Sequence, residues 1–534
     1  MSLVESTKWD AAQYGKFSAL IKDYLTKNPA VKEFYSLFPS EENLLEQAKI
    51  KLNSFLNREV LQASLTRQLT ELTLSEKQKE NLEKLKLSNT LTITTGHQLN
   101  LFTGPLYFFY KILETIKTCD RLNETHKEFN FVPIFWMATE DHDFEEINHF
   151  YFRNQRFTWK KDAKGPVGRL NLEGLNDTWE QFFASLPDST NAKKLKELIQ
   201  TTYGNAQTLT EATRKLVQEI FSQWGLLMLD GDDVELKKTM IPLFEKELTE
   251  FPSIQQVEKT IEKFHKNHYH VQVNPREINL FYIGNGKLRE RIVVENGRYS
   301  VLNTEISFTR EEILQELHAH PERFSPNVIL RPVYQESILP NVAYIGGSGE
   351  IAYWLELKSL FDHFNLPFPI LKVRNSLLLL TEKQQRKLEK LNLSYADLFQ
   401  PLYQIVHKNL EENTEVEIDF KAYQKQLETL FEEIESKAAQ TDVSFSKMVQ
   451  AQRKKQLSGL EKMHKRFIKA EKIKHTDRVE RIEILYSELF PNGNLQERVA
   501  NFSEFWLDYS SNFLSEIYSE IDPFAFRFTI KIVP

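Results

Sequence analysis

Three short stretches carry the residue types that chemistry on a small charged substrate requires. The first runs from Gly96-His97-Gln98 through Asn100 to Gly104. A helix start offers unpaired N–H groups suited to phosphate, and an imidazole beside it can donate to a phosphoryl oxygen as charge builds in a transition state. The second is Glu140-Asp141-His142-Asp143, with Glu145 and Glu146 close behind. Carboxylates so spaced can raise a histidine's pKa and orient its ring, or hold a substrate ammonium or a magnesium ion. Asp143 with Glu146 also fits a capping box, so Glu145 and Glu146 read as structural while Asp141, His142 and Asp143 read as functional. The third joins Arg331-Pro-Val-Tyr-Gln335 to Tyr344-Ile-Gly-Gly-Ser-Gly-Glu350. Gly346, Gly347 and Gly349 let a ligand approach the backbone, and Ser348 and Glu350 can meet hydroxyls or an amine. Arg331, Lys372 and Arg374 can clamp carboxylates or phosphates, arginine being suited to bidentate contacts.

Each stretch has a structural alternative. Glycine can simply make the first turn with His97 capping the helix, Ser348 can cap a tight turn, and single cations are commonly surface charges. His142 and His149 lack a matching third ligand nearby, so no zinc site is expected. Cys119 sits among Ile112, Leu113 and Ile116 without an activating motif and reads as a small buried hydrophobe.

The elements that must position these residues follow from the pattern. Residues 91–95 form a β-branched run ending at Gly96, and Pro105 opens a helix with Leu106, Phe109, Tyr110, Leu113 and Ile116 in its stripe. Residues 131–137 are almost wholly apolar, as in a parallel strand covered on both faces. Strand, loop, helix and strand make a first βαβ unit, and ligands in such open sheets gather at the carboxyl ends of strands. Residues 1–88 and 160–225 read as mainly helical. Short strand signals follow at 226–229, 270–273, 280–283 and 291–294, and clearer ones at 328–330, 342–345 and 368–373. Residues 1–150 and 326–375 therefore read as two halves of one doubly wound domain, with insertions over 151–325. From 376 to 488 glycine nearly vanishes, and Phe420, Tyr423, Leu427, Leu430, Ile434 and Ala438 recur in steps of three and four. That is a coiled-coil seam, and a second helix after Thr441-Asp-Val-Ser predicts an antiparallel hairpin arm. Residues 489–534 end in an alternating strand returning to the core.

Composition limits the classes of function. The 534 residues are 41% hydrophobic and 27% charged with a net charge of -7, so no broad basic surface for nucleic acid is expected. One cysteine forbids an internal disulfide and fits a reducing compartment. The apolar runs are strand-sized, and the first ten residues lack a signal-peptide pattern. A cytoplasmic protein without a membrane span is expected. Apolar positions of the arm lie on more than one stripe, Tyr423 and Phe431 to different sides, which predicts a homodimer through the coiled coil.

Taken together, the stretches TTGHQLNLFTGPLYFFYK, FVPIFWMATEDHDFEEINH, SPNVILRPVYQESILPNVAYIGGSGEIAYW and PNGNLQER, spread in order over residues 94 to 498, resemble the cysteine ligase family of bacillithiol biosynthesis (BshC). The resemblance implies an α/β fold, with a Rossmann-like doubly wound core related to class I synthetases and nucleotidylyltransferases, two connecting insertions and a long antiparallel coiled-coil domain. It implies amide formation between the carboxyl of cysteine and the amine of glucosaminyl malate, with ATP or ADP at the core and magnesium possible. Dimerisation through the coiled coil is implied too. The synthetases' paired-histidine signature is present only as Gly96-His97, and no literal lysine-rich loop occurs. Adenylate and acyl-phosphate activation are therefore both open. The competing readings are a nucleotidylyltransferase acting on another small acid, and a nucleotide-binding coiled-coil scaffold. A scaffold would have bland strand ends, and three polar constellations at strand ends oppose it.

Overall fold

The run Leu91-Thr-Ile-Thr-Thr95 favours a strand because β-branched side chains fit a pleated surface, and in the computed structural model it forms β1 (Thr90–His97). The structure describes residues 7–10, 17–54, 57–286, 288–416 and 418–533. β1 pairs in parallel with β2 (Asn130–Met137), and β2 with β3 (Leu227–Asp230). On its other edge β1 meets β4 (Asn341–Gly346), which carries β5 (Ile370–Val373). The order is thus β5-β4-β1-β2-β3, all parallel. Both faces are covered, and every residue of β4 and β5 is buried. The chain leaves β1 toward one edge and returns later to build the other, so β1 and β4 flank a topological switch point, where such sheets bind ligands.

Helix α1 (Tyr107–Thr125) crosses from β1 to β2 and buries Phe108, Phe109, Leu113 and Ile116 together with Cys119. Cys119 is free and inaccessible, and burial pushes its thiol pKa well up. Between β2 and β4 lie the helices Leu175–Ala184, Thr190–Tyr203 and Leu209–Phe221. An antiparallel five-stranded sheet follows, in the order Ser307–Phe308, Arg298–Val301, Glu290–Glu295, Leu280–Tyr282, Phe324–Pro326.

Two expected strands are absent. Residues 328–330 do not extend: the Asn327 side chain accepts the N–H groups of Ile329 and Leu330 at 2.9 and 3.2 Å. Helix α2 (Leu330–Ile338) begins there, with Pro332 in its first turn. Residues 270–273 form no strand because a buried carboxylate replaces the ladder. The N–H groups of Gln272 and Val273 donate to Glu356 at 2.6 and 3.3 Å. A short N-terminal strand, Thr7–Asp10, was not foreseen in a segment read as helical, and it pairs antiparallel with Arg527–Ile530.

The chain divides into two compact units, Met1–Leu378 with Asn494–Lys531, and Leu379–Gly493 with Ile532–Pro534. The second unit is helical. Its hairpin consists of α4 (Phe420–Ala438) and α5 (Val443–Lys474), whose direction is shown by Arg453 bonding Glu435 while Phe420 stacks on His464. The expected buried seam is mostly open to solvent. Tyr423 is 50% exposed and Leu430 51%, and only Ala438 of α4 is buried among the described residues. One partner helix covers too little of α4 to enclose its stripe.

Candidate functional site

A pocket of about 730 Å³ opens at the carboxyl ends of β1, β2 and β4. Its floor is Gly96 and His97 with the loop after β2, and its far wall comes from the inserted antiparallel sheet and α2. It brings His97, Gln98, Asp141, His142, Asp143, Arg331, Tyr344 and Glu350 to one volume.

At the switch point a lysine does the positioning. Lys111, on the buried face of α1, donates to the carbonyl of Gly96 and to both oxygens of Glu350, the latter at 2.8 and 2.9 Å. Glu350 starts α3 (Ser348–Leu355) and also accepts the Gly347 N–H at 3.0 Å and the Tyr344 hydroxyl at 2.7 Å. Burial opposes the charge on Glu350, but Lys111 and these donors hold its pKa below the usual value. Glu350 therefore ties the end of β4 to α1. Gly96 is closely packed by the protein itself, since a Cβ there would sit 3.0 Å from the Tyr344 hydroxyl. Gly346 is similarly crowded, whereas Gly349 has open space and Gly347 meets only Glu350 within 4 Å.

His97 lies against Tyr107 and Phe108. Burial, reinforced by Lys111 and opposed by Glu350, lowers its pKa to about 3. The ring is neutral at ordinary pH, and Nε2 is buried with no hydrogen-bond partner among the described residues. A neutral imidazole with an unsatisfied buried nitrogen on a pocket wall is a ready hydrogen-bonding site for a ligand.

The loop after β2 departs from expectation at two points. The capping box is not formed: Asp143 occupies the cap position of the helix Phe144–Ile147 without a side-chain bond to it. Instead Asp141 accepts the N–H groups of His142 and Asp143 at 2.7 and 3.3 Å. Gln98 ties this turn down, its amide donating to Asp141 and to Glu146 at 2.8 Å each. Glu146 is thereby drawn into the site's support, and Asp143 is left without a side-chain partner among the described residues. The pKa of His142 is lowered, not raised. Burial comes first, then Arg289, and the two outweigh Asp141 and Asp143. Arg289 donates to His142 Nδ1 at 2.8 Å, so the proton of the neutral ring sits on Nε2.

Several candidates lie elsewhere. Lys372 is buried against Glu114, and Arg374 pairs with Glu497 at 2.7 Å, both inside the core and off the pocket wall. Asn100 and Gly104 shape the turn: Asn100 donates to the Glu146 carbonyl at 3.4 Å, and Gly104, at φ +63°, offers its carbonyl to Asn501 at 2.7 Å. Ser348 accepts from Arg498 at 3.3 Å. Gln335 accepts from Arg331 at 3.0 Å one helical turn away and orients it.

Sequence reasoning missed Lys111, Arg289 and the acids at the end of β3. Asp230 accepts from Thr139, and Asp232 takes a two-pronged contact from Arg169 at 2.7 and 2.8 Å. Burial, then Asp232, raises Asp230 to a pKa of about 6. Fully buried Lys237 bridges Asp232 at 3.0 Å and Glu140 at 2.6 Å. The run Asp230-Gly-Asp-Asp233 at a strand end was a signal of the same kind as the three that were read.

A family model described as "Bacillithiol biosynthesis BshC, N-terminal Rossmann-like domain" matches residues 7–375, and one described as "Bacillithiol biosynthesis BshC, C-terminal coiled-coil domain" matches residues 377–532. The chain belongs to the BshC family. Curated relatives named "Putative cysteine ligase BshC" agree along nearly the whole length. The one from Flavobacterium johnsoniae is 48% identical, and that from Flavobacterium psychrophilum is also 48% identical, each covering 97% of both chains. One from Cytophaga hutchinsonii is 38% identical over 96% of each chain. Membership makes the chain a ligase of bacillithiol biosynthesis, with the Rossmann-like and coiled-coil domains seen here. No helix of the described residues is long and apolar enough to cross a membrane.

Proposed function

We propose that this ligase joins the carboxyl group of L-cysteine to the amine of glucosaminyl malate, after ATP has activated the carboxyl. The observation that carries the reading is the division of charge around one pocket. Asp141 and Asp143 stand in the loop after β2, while Arg276, Arg289 and Arg291 come from the insertion and Arg331 from α2. Such a pocket suits an ammonium-bearing amino acid facing an anionic amino sugar. In the joining step the sugar amine attacks the activated carbonyl and the new C–N bond forms. The phosphate-linked leaving group departs with its bonding pair, and the amine gives up a proton.

In this reading Asp143 anchors the cysteine ammonium, and His97 Nε2 bonds the activated carboxyl or its phosphate. The nucleotide lies at the switch point between β1 and β4, consistent with ligand binding in this class of sheet. Among the described residues no group of three or more His, Cys, Asp or Glu is placed to hold a metal ion. Magnesium would arrive on the nucleotide's phosphates, as it commonly does. The exposed Tyr423, Leu430, Phe445 and Met448 of the hairpin support a homodimer through the arm, and the cytoplasm supplies ATP and reduced cysteine.

The test is purified protein with ATP, cysteine and glucosaminyl malate, read by mass spectrometry of the thiol product. It is paired with thiol analysis of cells lacking the chain. An amide product in vitro and accumulated glucosaminyl malate in the cells support the reading. Absence of both overturns it, and pyrophosphate release without an amide would favour a nucleotidylyltransferase.

A further inference from the structure

Among the described residues the four arginines around the pocket make no ion pair, unlike Arg374 and Arg169. Arg374 has Glu497 at 2.7 Å and Arg169 has Asp232 at 2.7 Å. Arg289, only 9% exposed, donates to the Ser325 hydroxyl, the Pro326 carbonyl and His142, all neutral acceptors. Arg331 bonds Gln335 and the Tyr353 hydroxyl. Arg276 and Arg291 have no side-chain partner among the described residues. None of the pocket's acids forms an ion pair with them: Glu140 pairs with Lys237 and Glu350 with Lys111, and Glu140, Asp141 and Glu350 act on Arg289 and Arg331 only at longer range. For Arg289, burial without an ion-pair partner is costly, and a chain of net charge -7 has acids enough to have supplied one.

Geometry makes the group a unit. Arg289 immediately precedes the strand Glu290–Glu295 and Arg291 is its second residue, so the two project to the same side. The Arg289 guanidinium lies over the Phe281 ring at 4.0 Å from its centroid, which fixes its plane. Arg276 enters just ahead of the neighbouring strand Leu280–Tyr282. We infer that Arg276, Arg289 and Arg291, with Arg331, form a subsite for a dicarboxylate, which in the reading above is the malate end of the acceptor. The subsite rests on that reading for the identity of its ligand. Nucleotide phosphate is the other anion available, but its place in this sheet is the switch point across the pocket.

Arg289 also braces Ser325 and Pro326, so the informative variants are R276Q and R291Q, whose side chains are exposed. Calorimetry measures the binding of glucosaminyl malate and of methyl glucosaminide, which lacks the two carboxylates, and steady-state assays give KM for glucosaminyl malate, cysteine and ATP. Each variant is expected to weaken glucosaminyl malate binding and raise its KM by about 10- to 100-fold, the size of one lost charge-assisted hydrogen bond. Methyl glucosaminide binding and the KM for ATP should stay as in the wild type. Equal affinity of the wild type for the two sugars overturns the inference, and so does a rise confined to the KM for ATP. If the wild type ligates no cysteine yet binds glucosaminyl malate through these arginines, the ligase reading fails and the subsite stands.

Discussion

Replacing Lys372 with Met separates a buried structural charge from a substrate clamp. The Lys372 side chain is 3% exposed and that of its partner Glu114 is fully buried. Glu114 also accepts the N–H of Asn375 at 2.6 Å. K372M removes the cation and leaves a carboxylate without a counter-charge in the core, a change that costs about 3–5 kcal/mol. With a urea slope near the top of the small-protein range, about 3 kcal/mol/M, the midpoint of the first unit should fall by roughly 1–1.7 M. In K372M/E114Q the amide oxygen can still accept the Asn375 N–H, and no unpaired charge remains. The double variant should therefore regain most of the loss. The assay is urea unfolding followed by tryptophan fluorescence, run beside steady-state kinetics. Wild-type stability in K372M together with a raised KM for a substrate would refute this account and return Lys372 to the site.

H97A should keep its fold and lose on the order of 10²–10³ in turnover if Nε2 acts only on the transition state, and complementation of a thiol-deficient strain at normal rates would contradict this. Because the folded pKa of His97 is near 3 against an ordinary 6.5, the unfolded chain takes up its proton first. Stability should fall as pH drops below about 6.5, and the slope of urea midpoint against pH should flatten in H97A. Glu356 works in the opposite sense: burial raises its pKa to about 7 from 4.5, so its protonated form favours the fold at low pH. That contribution is lost as pH rises from about 4.5 through 7, and E356Q should remove this component from the same titration. D143N should raise the KM for cysteine while E145Q shifts stability by less than about 1 kcal/mol, and equal effects would count against the assignment. Deleting residues 415–475 should convert a dimer to a monomer by light scattering, and a full-length monomer at micromolar concentration would leave the open face of α4 without this role.

What could be read in advance depended on whether a signal was local. The apolar run of β2 and the β-branched run of β1 announce themselves within eight residues, and both place polar clusters at their ends. The partners of those clusters are distant. Lys111 reads as one cation inside an apolar helix, and nothing nearby says that it reaches Glu350, which lies across the switch point. Lys372 and Arg374 resemble a clamp in sequence because their neutralising acids, Glu114 and Glu497, stand far away along the chain. The strand expected at 328–330 failed for a smaller reason: one Asn327 side chain offered its N–H groups a helix start. The pKa of His142 was misjudged because its acids are adjacent in sequence while Arg289 arrives from the inserted sheet.

The pairing of Thr7–Asp10 with Arg527–Ile530 bears on how the protein comes off the ribosome. At about 5–20 residues per second, synthesis of 534 residues occupies roughly half a minute to two minutes. Through most of that time the N-terminal strand has no mate, and β1 must wait for β4. The helical hairpin, built from local contacts, is made after the five parallel strands and can form before Arg527–Ile530 emerges. Such long-range closures slow folding, so a chain stalled within its last few dozen residues would present a finished arm and an unsealed core, a form suited to capture by chaperones or proteases.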